Sequence, residues 1–409
     1  MTPTVILDNG ASTIKAGISD GGPALLIPNA IARNKSTTYF GHELLRCSDH
    51  ASLTYRLPLD KGFIVDWDAQ KAIWDGVFSS EALGIDTTQS SLLLTEPYHN
   101  LPNIQAVYDQ FVFEEYQFSS YYRCTPGSLL SSSNSECALI IDSGFSFTHI
   151  VPLLRGTPHL PALKRLDIGG KLLTNHLKEL ISFRQWNMMD QTHITNHVKE
   201  SCCFVSTDFP RDLEACRATP NPIMREYALA EQRLRQPGDT GQVLVMNNER
   251  FSVPEIIFRP DDIGITLTSP QFSSHLNLGL NQLGLAGTVA ASIALLPEDL
   301  QPMFWANITL IGGNTKFPGF RDRLLADLRP LAPVEWDIEV HECADPITAA
   351  YDAAQRLVAS PAYKDCVVTR AEYLESGSNA TRRKWSQGAG EEKEKEQKTR
   401  SRAGTTRKK

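Results

Sequence analysis

The sequence predicts an α/β fold in which two similar halves close on one ligand. Strand-like apolar runs alternate with helical runs, and an apolar run that ends in Asp, one further residue and Gly occurs twice, at residues 5–10 and 138–144. The alternation is typical of βα units rather than of all-β proteins or helical bundles. Each tight turn can offer backbone N–H groups to phosphate oxygens, so nucleotide binding is the leading interpretation.

Apolar periodicity predicts six strands and seven helices. The strands are at residues 5–7, 13–18, 91–94, 138–141, 148–153 and 308–311. The helices are at residues 69–78, 103–114, 170–182, 193–203, 288–295, 319–328 and 347–358. A second β-prone run follows each Asp-x-Gly copy, so each copy is predicted to be a hairpin. A favourable Asn9-Gly10 turn with no ligand is the alternative for one copy, but the repetition favours a binding role.

The composition sets bounds on the class of protein. With 409 residues, the chain is long enough for two cores. An apolar fraction of 41% and a charged fraction of 21% are ordinary for globular proteins. The eight cysteines form no C-x-x-C pair, which predicts reduced thiols in an intracellular compartment. No secretory pattern and no apolar run of about 20 residues is present, so we expect no membrane contact.

The last part of the chain differs in charge from the rest. Residues 376–409 hold eleven Lys or Arg and four Glu, a net charge of +7, whereas the preceding residues carry a net charge of −14. This asymmetry marks a boundary, and the low apolar content predicts that residues 378–409 are disordered. The basic tail is interpreted either as a contact to DNA, histones or an import receptor or as a solvated end without a partner.

The two acids predict a metal ion beside the phosphates. Asp8 and Asp142 would repel a polyphosphate unless a hard cation lay between them, and magnesium is held through one or two carboxylates and its own waters. Lys15 follows the first turn and can neutralise phosphate charge, although an exposed edge lysine is the alternative. A third glycine element, residues 310–319, follows an apolar strand and precedes a helix. This arrangement is typical of nucleotide sites. The alternative is an ordinary connection between a strand and a helix.

In order and spacing, these elements resemble those of the actin superfamily. The resemblance is carried by Asp8-Asn9-Gly10 with Lys15-Ala16-Gly17, by Asp142-Ser143-Gly144 with Thr148-His149, and by Gly312-Gly313 with Phe317-Pro318-Gly319. Further similar stretches are at residues 64–68, 94–97, 165–167, 248–251 and 368–373, so the likeness covers about residues 2–377. It implies an actin-like two-lobed fold, of the actin, hexokinase and heat-shock ATPase type, with a nucleotide cleft between duplicated α/β domains.

The resemblance implies a discontinuous arrangement of domains. Residues 1–130 with 345–377 would form the first lobe, which includes a smaller variable subdomain at residues 30–60. Residues 131–344 would form the second lobe. Insertions are expected in the second lobe near residues 217–240, irregular or partly helical, and near 271–287. Insertions are partner contacts in some proteins and sites of neutral length change in others.

Within the superfamily, the sequence is similar to nuclear actin-related proteins. Residues 142–152, 169–179 and 261–265 carry this likeness. It implies a nuclear subunit, with a cytoplasmic pool as a further option, of the SWR-type chromatin remodelling complex, which exchanges a histone variant in nucleosomes. The implied partners are the remodelling ATPase, small subunits of the complex, and histones or the nucleosome. DNA contact through residues 378–409 is an additional interpretation.

The resemblance also implies a site for ATP or ADP with magnesium. Carried over residue by residue, two elements would hold the phosphates: the first is Asp8, Asn9, Gly10, Ala11, Ser12 and Lys15, and the second is Asp142, Ser143, Gly144 and Phe145. The pair beside adenine and ribose would be Lys199 and Glu200. The element that closes over adenosine would be Gly312, Gly313, Asn314 and Phe317. Asp8 and Asp142 would hold the magnesium ion through water.

Departures from actin argue against hydrolysis and polymerisation. Where actin has Ser-Gly in the first turn and Asp-Gly in the second, this chain has Ala11-Ser12 and Phe145-Ser146. Thr125 replaces the glutamine that orients water in actin, so we expect little or no ATPase turnover and no catalytic residue. Residues 31–59 differ from actin's filament-contact loop, so we expect no filament. The alternatives are an active ATPase and a chromatin-contacting module that acts through the tail.

Two histidines lie one helical turn apart, at His193 and His197, near Cys202 and Cys203. Zinc could use this spacing. Because Glu does not follow the first histidine, the zinc-protease pattern is absent. Histidines on a helix surface are the favoured interpretation.

Overall fold

The structure is a computed structural model of the chain. It describes residues 3–19, 22–47, 49–50, 52–130, 136–229, 242–261 and 283–385. Most of the predicted second insertion and most of the basic tail lie outside the described residues. Within the described part, the helices are too short or too polar to span a bilayer.

The strands of the described residues are numbered in chain order. They are β1 Thr4–Asn9, β2 Thr13–Ile18, β3 Leu25–Pro28, β4 Ile31–Arg33, β5 Thr38–Phe40, β6 Thr54–Arg56, β7 Leu59–Asp60, β8 Phe63–Ile64, β9 Ser91–Thr95, β10 Ser120–Cys124, β11 Cys137–Ser143, β12 Thr148–Leu154, β13 Thr157–Pro158, β14 Lys164–Leu166, β15 Arg225–Ala228, β16 Val243–Met246, β17 Ile308–Ile311, β18 Val340–Glu342 and β19 Val368–Thr369.

The α-helices of the described residues are numbered in the same way. They are α1 Trp67–Phe78, α2 Pro102–Gln110, α3 Pro126–Leu129, α4 Gly170–Arg184, α5 Thr192–Cys202, α6 Phe209–Ala215, α7 Glu249–Phe258, α8 Leu285–Ile293, α9 Gln301–Trp305, α10 Phe320–Leu328, α11 Ala349–Ala359, α12 Tyr363–Cys366 and α13 Arg370–Ser376.

Two central sheets repeat one topology. The strand order is β19-β10-β9-β1-β2-β3 in the first sheet and β13-β12-β11-β17-β18 in the second, where β14 also pairs with β12. Strand β1 pairs antiparallel with β2 and parallel with β9, and β11 pairs antiparallel with β12 and parallel with β17. Each Asp-x-Gly turn therefore lies at the same place in its sheet. The duplication confirms the predicted α/β fold of two lobes.

Each lobe has its own apolar core. Strand β1 is buried along its whole length, and residues 137–141 of β11 are also buried. Strands covered on both faces have continuous apolar runs rather than alternating ones, which is the pattern of both sequences. The six predicted strands and seven predicted helices are all present, with boundaries that differ by a few residues.

Local signals fix the helices that flank the first sheet. Asp66 caps α1 by accepting a hydrogen bond from the backbone N–H of Ala69 at 3.1 Å. Ile73, Trp74 and Val77 of the same helix are buried in the first core. The cap and the apolar face together set where α1 begins and which side packs on the sheet.

The first predicted insertion contains a strand pair. Residues 225–228 form β15 and pair antiparallel with β16, so the expectation of irregular or helical structure was wrong there. Leu244 and Met246 of β16 are buried in the second core, and this alternation stabilises the pair. Residues 230–241 of the same insertion lie outside the described residues.

The ordered chain extends further than the composition predicted. Residues 379–385 are helical, although disorder was expected from residue 378. The hydroxyl of Thr381 donates to buried Asp109 at 2.7 Å, and the ring of Trp385 lies 5.0 Å from the Arg123 guanidinium. Arg123 is itself paired with Asp109 at 2.6 Å. A single aromatic residue thus anchors a segment whose average composition is polar.

Candidate functional site

The first Asp-x-Gly turn holds its acid in a fixed position. Asp8 lies in β1 opposite Lys15 of β2. One carboxylate oxygen, Oδ1, accepts a hydrogen bond from the Thr95 hydroxyl at 2.6 Å, and Oδ2 lies 3.0 Å from Lys15 Nζ. Strand β3 covers the outer side of β2, so Lys15 is not on an edge strand. The structure places Lys15 beside Asp8, where both can face a bound phosphate.

The turn itself is too tight for a side chain at Gly10. A Cβ there would lie 2.6 Å from the carbonyl oxygen of Thr13 and 3.0 Å from Lys15 Nζ. Asn29 closes the turn from behind: its side-chain amide donates to the Gly10 carbonyl at 2.9 Å, and its backbone N–H donates to the Ser12 carbonyl at 2.9 Å. The backbone at Gly10 can therefore approach a ligand closely.

Asn9 and Ala11 support this turn from the core side. The Asn9 amide oxygen accepts a hydrogen bond from Trp74 Nε1 at 3.3 Å, and its backbone N–H donates to Thr95 at 3.0 Å. The side-chain nitrogen of Asn9 is buried without a hydrogen-bond partner. Ala11 packs against the first apolar core. The contacts of Asn9 and Ala11 thus hold the turn against the core.

The second turn brings another acid to the same cleft. Asp142 pairs with His149 in the hairpin register, as Asp8 pairs with Lys15. Burial and repulsion by the Asp8 carboxylate raise the pKa of Asp142 to about 6, and attraction to Lys15 opposes this shift. The charges of the two acids therefore act on each other, as expected of carboxylates that face one cleft from opposite lobes.

The residue opposite each acid differs between the lobes. Lys15 carries a positive charge beside Asp8, whereas burial and the charges of Arg165 and His99 lower the pKa of His149 to about 3. His149 is therefore neutral at physiological pH. The cleft holds two carboxylates and one nearby ammonium group, which leaves an excess of negative charge that a divalent cation would neutralise.

Ser143 and Gly144 are tied to the third glycine element. The Asn314 side-chain nitrogen donates to Ser143 Oγ at 3.2 Å and to the Gly144 carbonyl at 2.8 Å. Gly312 has φ +91°, and a Cβ there would lie 2.3 Å from the Ser143 carbonyl oxygen. Only glycine fits at Gly312, whereas Gly313 has open space around its Cβ position. The sequence motif thus brings these residues together as expected.

Phe145 lies where the second turn meets the start of α4. Its carbonyl oxygen accepts from the backbone N–H of Lys171 at 2.8 Å. A Cβ on Gly170 would lie 3.5 Å from the Phe145 ring, 3.2 Å from Asn314 Oδ1 and 3.4 Å from Lys199 Nζ. Phe145, Lys199 and Asn314, three residues that are distant in sequence, therefore surround one point at the N-terminus of α4.

Lys199 and Glu200 point in different directions. Lys199 is buried, and its Nζ donates to the Gly170 carbonyl, the Thr174 hydroxyl and the side-chain oxygen Oδ1 of Asn196 at 2.8–3.1 Å. Burial lowers its pKa to about 8. Glu200 is exposed and accepts a hydrogen bond from Asn196 at 2.7 Å. Lys199 thus supports the wall of the cleft, and Glu200 is the more accessible member of the pair.

The Phe317 side chain is surrounded mainly by residues of the second core. It is buried in the second core and also lines a cavity of about 520 Å³ with Lys316, Arg321 and Cys343. Gly319 follows with φ +84° and begins α10. The buried Phe317 side chain therefore holds the loop from Gly312 to Gly319 in place. The backbone at Gly312 lies against Ser143 in the second turn.

Tyr98 is a site residue that sequence reasoning missed. Its ring is buried, lies 4.8 Å from the His149 ring, and its hydroxyl accepts a hydrogen bond from the Gly127 N–H at 2.8 Å. Burial, together with the charge of the nearby Asp142 carboxylate, raises the pKa of the Tyr98 hydroxyl. The signal available in the sequence was its position directly after the Thr95-Glu96-Pro97 stretch. Thr125, predicted as the replacement of the water-orienting group, has a buried hydroxyl without a hydrogen-bond partner.

The smaller subdomain of the first lobe contacts the second lobe across the cleft. The rings of His50 and His193 are stacked with centroids 4.3 Å apart. Asp60 lies 3.7 Å from Lys171 Nζ, although both side chains are well exposed. Because exposed ion pairs contribute little, the ring stack is the stronger contact. His193 thus has a packing role, and no metal-binding cluster is found in the part of the chain that is described.

These residues fit a nucleotide with magnesium. Two carboxylates face the cleft, one with a raised pKa, and the glycines of the three turns are half-buried or exposed. The oxygen donors match the preference of magnesium for carboxylates and water. Bound magnesium would neutralise phosphate charge, and Asp8 and Asp142 are the residues that would hold it.

Comparisons with known proteins extend over nearly the whole chain. A family model described as actin matches residues 1–386. The chain is 43% identical to actin-like protein ARP6 of Cryptococcus neoformans, with 94% of this chain and 84% of that protein covered. It is 36% identical to actin-related protein 6 of Arabidopsis thaliana, over 94% of this chain and 100% of that protein, and 32% identical to actin-related protein 6 of Drosophila melanogaster, over 91% and 97%.

Proposed function

The chain belongs to the actin family, and from that premise we propose that it is a nuclear, non-polymerising subunit of a chromatin remodelling complex. Its cleft holds ATP or ADP with magnesium and turns it over slowly or not at all. The complex is of the SWR type and exchanges a histone variant in nucleosomes. A cytoplasmic pool of the subunit is a secondary possibility.

The observation that carries nucleotide binding is the convergence of Asp8 and Asp142 on one cleft. Each acid lies one residue before the end of a central strand of its own sheet, and burial together with repulsion by the Asp8 carboxylate raises the pKa of Asp142. A site that keeps two carboxylates together at neutral pH is costly unless a cation joins them. Gly10 and Gly312 allow turns that a side chain would not fit, because a Cβ at either position would collide with a backbone carbonyl oxygen.

The replacement of actin's glutamine by Thr125 supports slow hydrolysis. Hydrolysis needs a residue that positions the attacking water once the phosphates are held. Thr125 carries a short, buried hydroxyl without a hydrogen-bond partner, and the buried Tyr98 hydroxyl accepts a hydrogen bond from the Gly127 N–H. This arrangement favours a structural use of the nucleotide over an active ATPase.

The scaffold role is supported by similarity along the whole chain. The relatives named actin-related protein 6 match it at 32–43% identity, and the match includes both lobes. Partners in this proposal are the remodelling ATPase, through a helical segment, and small subunits of the complex, with histones or the nucleosome nearby. The altered filament-contact stretch at residues 31–59 contacts the second lobe through His50 and supports a non-polymerising subunit.

One experiment tests nucleotide holding and turnover together. The full chain is purified at neutral pH with magnesium, its bound small molecule is identified by chromatography after denaturation, and phosphate release is followed with added ATP. We expect bound ATP or ADP and phosphate release slower than that of actin filaments. Steady release faster than that of filaments would favour the active ATPase, and filaments seen by electron microscopy would contradict the non-polymerising role.

A second experiment separates the scaffold from the tail-driven alternative. Nuclear extract is passed over the immobilised full chain and over a variant that ends after Trp385. If the scaffold proposal holds, both capture the remodelling ATPase, identified by mass spectrometry. Loss of capture, together with a salt-sensitive loss of nucleosome binding, on removal of residues 386–409 would favour a chromatin contact through the tail.

A further inference from the structure

Two buried side-chain amides, Asn29 and Gln70, lie directly behind the first Asp-x-Gly turn. Both are fully buried. Asn29 Oδ1 accepts a hydrogen bond from Gln70 Nε2 at 3.2 Å, and Asn29 Nδ2 donates to the Gly10 carbonyl at 2.9 Å. The same Nδ2 lies 3.4 Å from Gln70 Oε1 and 3.4 Å from Asn9 Oδ1. The oxygen and the nitrogen of the Asn29 amide therefore both have partners inside the protein.

Asn29 fixes two peptide groups of the turn. Its side chain holds the Gly10 carbonyl, and its backbone N–H donates to the Ser12 carbonyl at 2.9 Å. In a trans peptide the N–H points opposite to the C=O, so the N–H of Ala11 is turned away from the buried amide. Backbone N–H groups of such turns are the donors that bind phosphate oxygens. The direction of one such donor thus depends on Asn29.

Gln70 in turn holds the Asn29 side chain. The oxygen of Asn29 is buried, and a buried acceptor that loses its donor is costly. Without Gln70 Nε2, the Asn29 side chain would no longer be held at its oxygen, and its bond to the Gly10 carbonyl would compete with rotation toward other donors. Gln70 therefore acts on the turn through Asn29 rather than by direct contact.

The two amides also lie on the two connections to the smaller subdomain. Asn29 follows β3 of the first sheet and precedes β4, which belongs to the small sheet β5-β4-β6. Gln70 lies near the start of α1, where the chain has returned through β8. The amide pair thus joins the outgoing and the returning connection directly behind the turn. A shift of either connection would move the donor that holds Gly10.

We propose that Gln70 is a positioning residue that acts through Asn29, and that this amide pair holds the first Asp-x-Gly turn in the shape that binds phosphate. Because both side chains are fully buried, they act on the turn and not on the ligand. The inference rests on the proposed function for its ligand, ATP with magnesium. The order of the turn itself depends only on the contacts of Asn29 and Gln70.

Hydrogen exchange tests the order of the turn without any nucleotide. Full-length Gln70→Met is compared in EDTA with the wild type and with Gln355→Met, using mass spectrometry. Gln355 is the matched control because it is a helical residue of the same lobe whose Nε2 donates to a backbone carbonyl, that of Gly22, at 2.7 Å. We expect residues 10–13 to exchange about tenfold faster in Gln70→Met, the scale of one buried hydrogen bond, and to be unchanged in Gln355→Met.

Two exchange results would overturn the inference. The first is unchanged exchange of residues 10–13 in Gln70→Met. The second is a uniform rise over both lobes, since that would show a loss of general stability instead of a local effect on the turn. If Gln70→Met fails to fold, Asn29→Ser, which removes Nδ2 from the Gly10 carbonyl but keeps a short polar side chain, takes its place in this comparison.

A double-mutant cycle on ATP affinity tests whether Gln70 acts through Asn29. Affinity is measured with magnesium, by competition with a fluorescent ATP analogue, for Gln70→Met, Asn29→Ala and the double variant. We expect each single variant to bind ATP about tenfold more weakly, and the double variant to bind no more weakly than Asn29→Ala. Losses that multiply in the double variant would show that the two residues act independently, which contradicts the proposal.

The outcomes separate the inference from the proposed function. If the wild-type chain and all variants bind no ATP, nucleotide holding is wrong and the affinity part is wrong with it, while exchange of residues 10–13 still decides whether the amide pair orders the turn. If the wild type binds ATP and the affinity of Gln70→Met stays within about twofold of it, the positioning role is refuted and nucleotide holding stands.

Discussion

Replacing Asp142 by Asn tests whether an ionised Asp142 destabilises the empty cleft, where burial and the Asp8 carboxylate oppose its charge. The folded-state pKa of Asp142 is raised from 3.8 to about 6. For an acid shifted upwards, the native state is favoured below the unfolded pKa and loses stability as pH rises through the folded pKa. A shift of roughly two units corresponds to about 3 kcal/mol. Above pH 6, ionised Asp142 therefore destabilises the empty protein by an amount of this order.

The effect of Asp142→Asn on stability is expected to differ between the empty protein and the protein with magnesium and ATP. In EDTA at pH 7.5, Asp142→Asn unfolds at a higher temperature than the wild type, by the equivalent of about 1–3 kcal/mol. The advantage shrinks between pH 6 and pH 4 because the wild-type carboxyl becomes protonated. With magnesium and ATP, the wild type gains stability by mass action and the variant gains less, since one metal-holding carboxylate is gone.

Differential scanning fluorimetry across pH, with and without magnesium and ATP, measures both effects. Asp337→Asn, at an exposed position of the second lobe, controls for the loss of one negative charge. Equal Tm values for Asp142→Asn and the wild type in EDTA at pH 7.5, or a difference that does not change between pH 7.5 and pH 4, would refute the reasoning that burial and the Asp8 carboxylate oppose ionisation of Asp142.

Three further results follow from the geometry. Gly312→Ala is expected to lower the free energy of unfolding by about 3 kcal/mol or more, because its backbone has φ +91° and a carbonyl oxygen lies 2.3 Å from the new Cβ, whereas Gly313→Ala stays within about 0.5 kcal/mol; urea titration compares them. Trp385→Ala is expected to cost about 2 kcal/mol in the same assay, whereas deletion of residues 386–409 leaves stability unchanged. His193→Ala, which removes the ring stack, is expected to speed release of a fluorescent ATP analogue roughly two- to tenfold in stopped-flow mixing; an unchanged rate would show that the stack does not restrict the cleft.

The fold could be predicted from sequence because its signals are local and repeated. Buried parallel strands have continuous apolar runs, and each Asp-x-Gly copy has a second strand behind it, so the positions of β1, β2, β11 and β12 followed directly. The glycine at Gly312 was also recognisable, since a close backbone approach excludes a side chain there. What these patterns share is that a few adjacent residues decide the structure.

The features that sequence reasoning missed depend on contacts between distant residues. Tyr98 follows a recognised stretch, but its surroundings come from Gly127 and His149, which no spacing rule connects to it. Disorder was predicted from residue 378 because average composition hides a single anchor, and Trp385 finds the buried Arg123 in another part of the chain. Partners of this kind are set by tertiary packing, which composition and periodicity do not encode.

The return of the chain to its first lobe sets the order in which the molecule can be assembled during synthesis. Thr381 bonds to Asp109 from 272 positions away, and β19 completes the sheet beside β10. Until the last residues emerge from the ribosome, β10 is an unpaired edge and its apolar neighbours are uncovered. Such edges are prone to aggregate. During most of its translation, a nascent chain of this design therefore has β10 open on the side that β19 later covers.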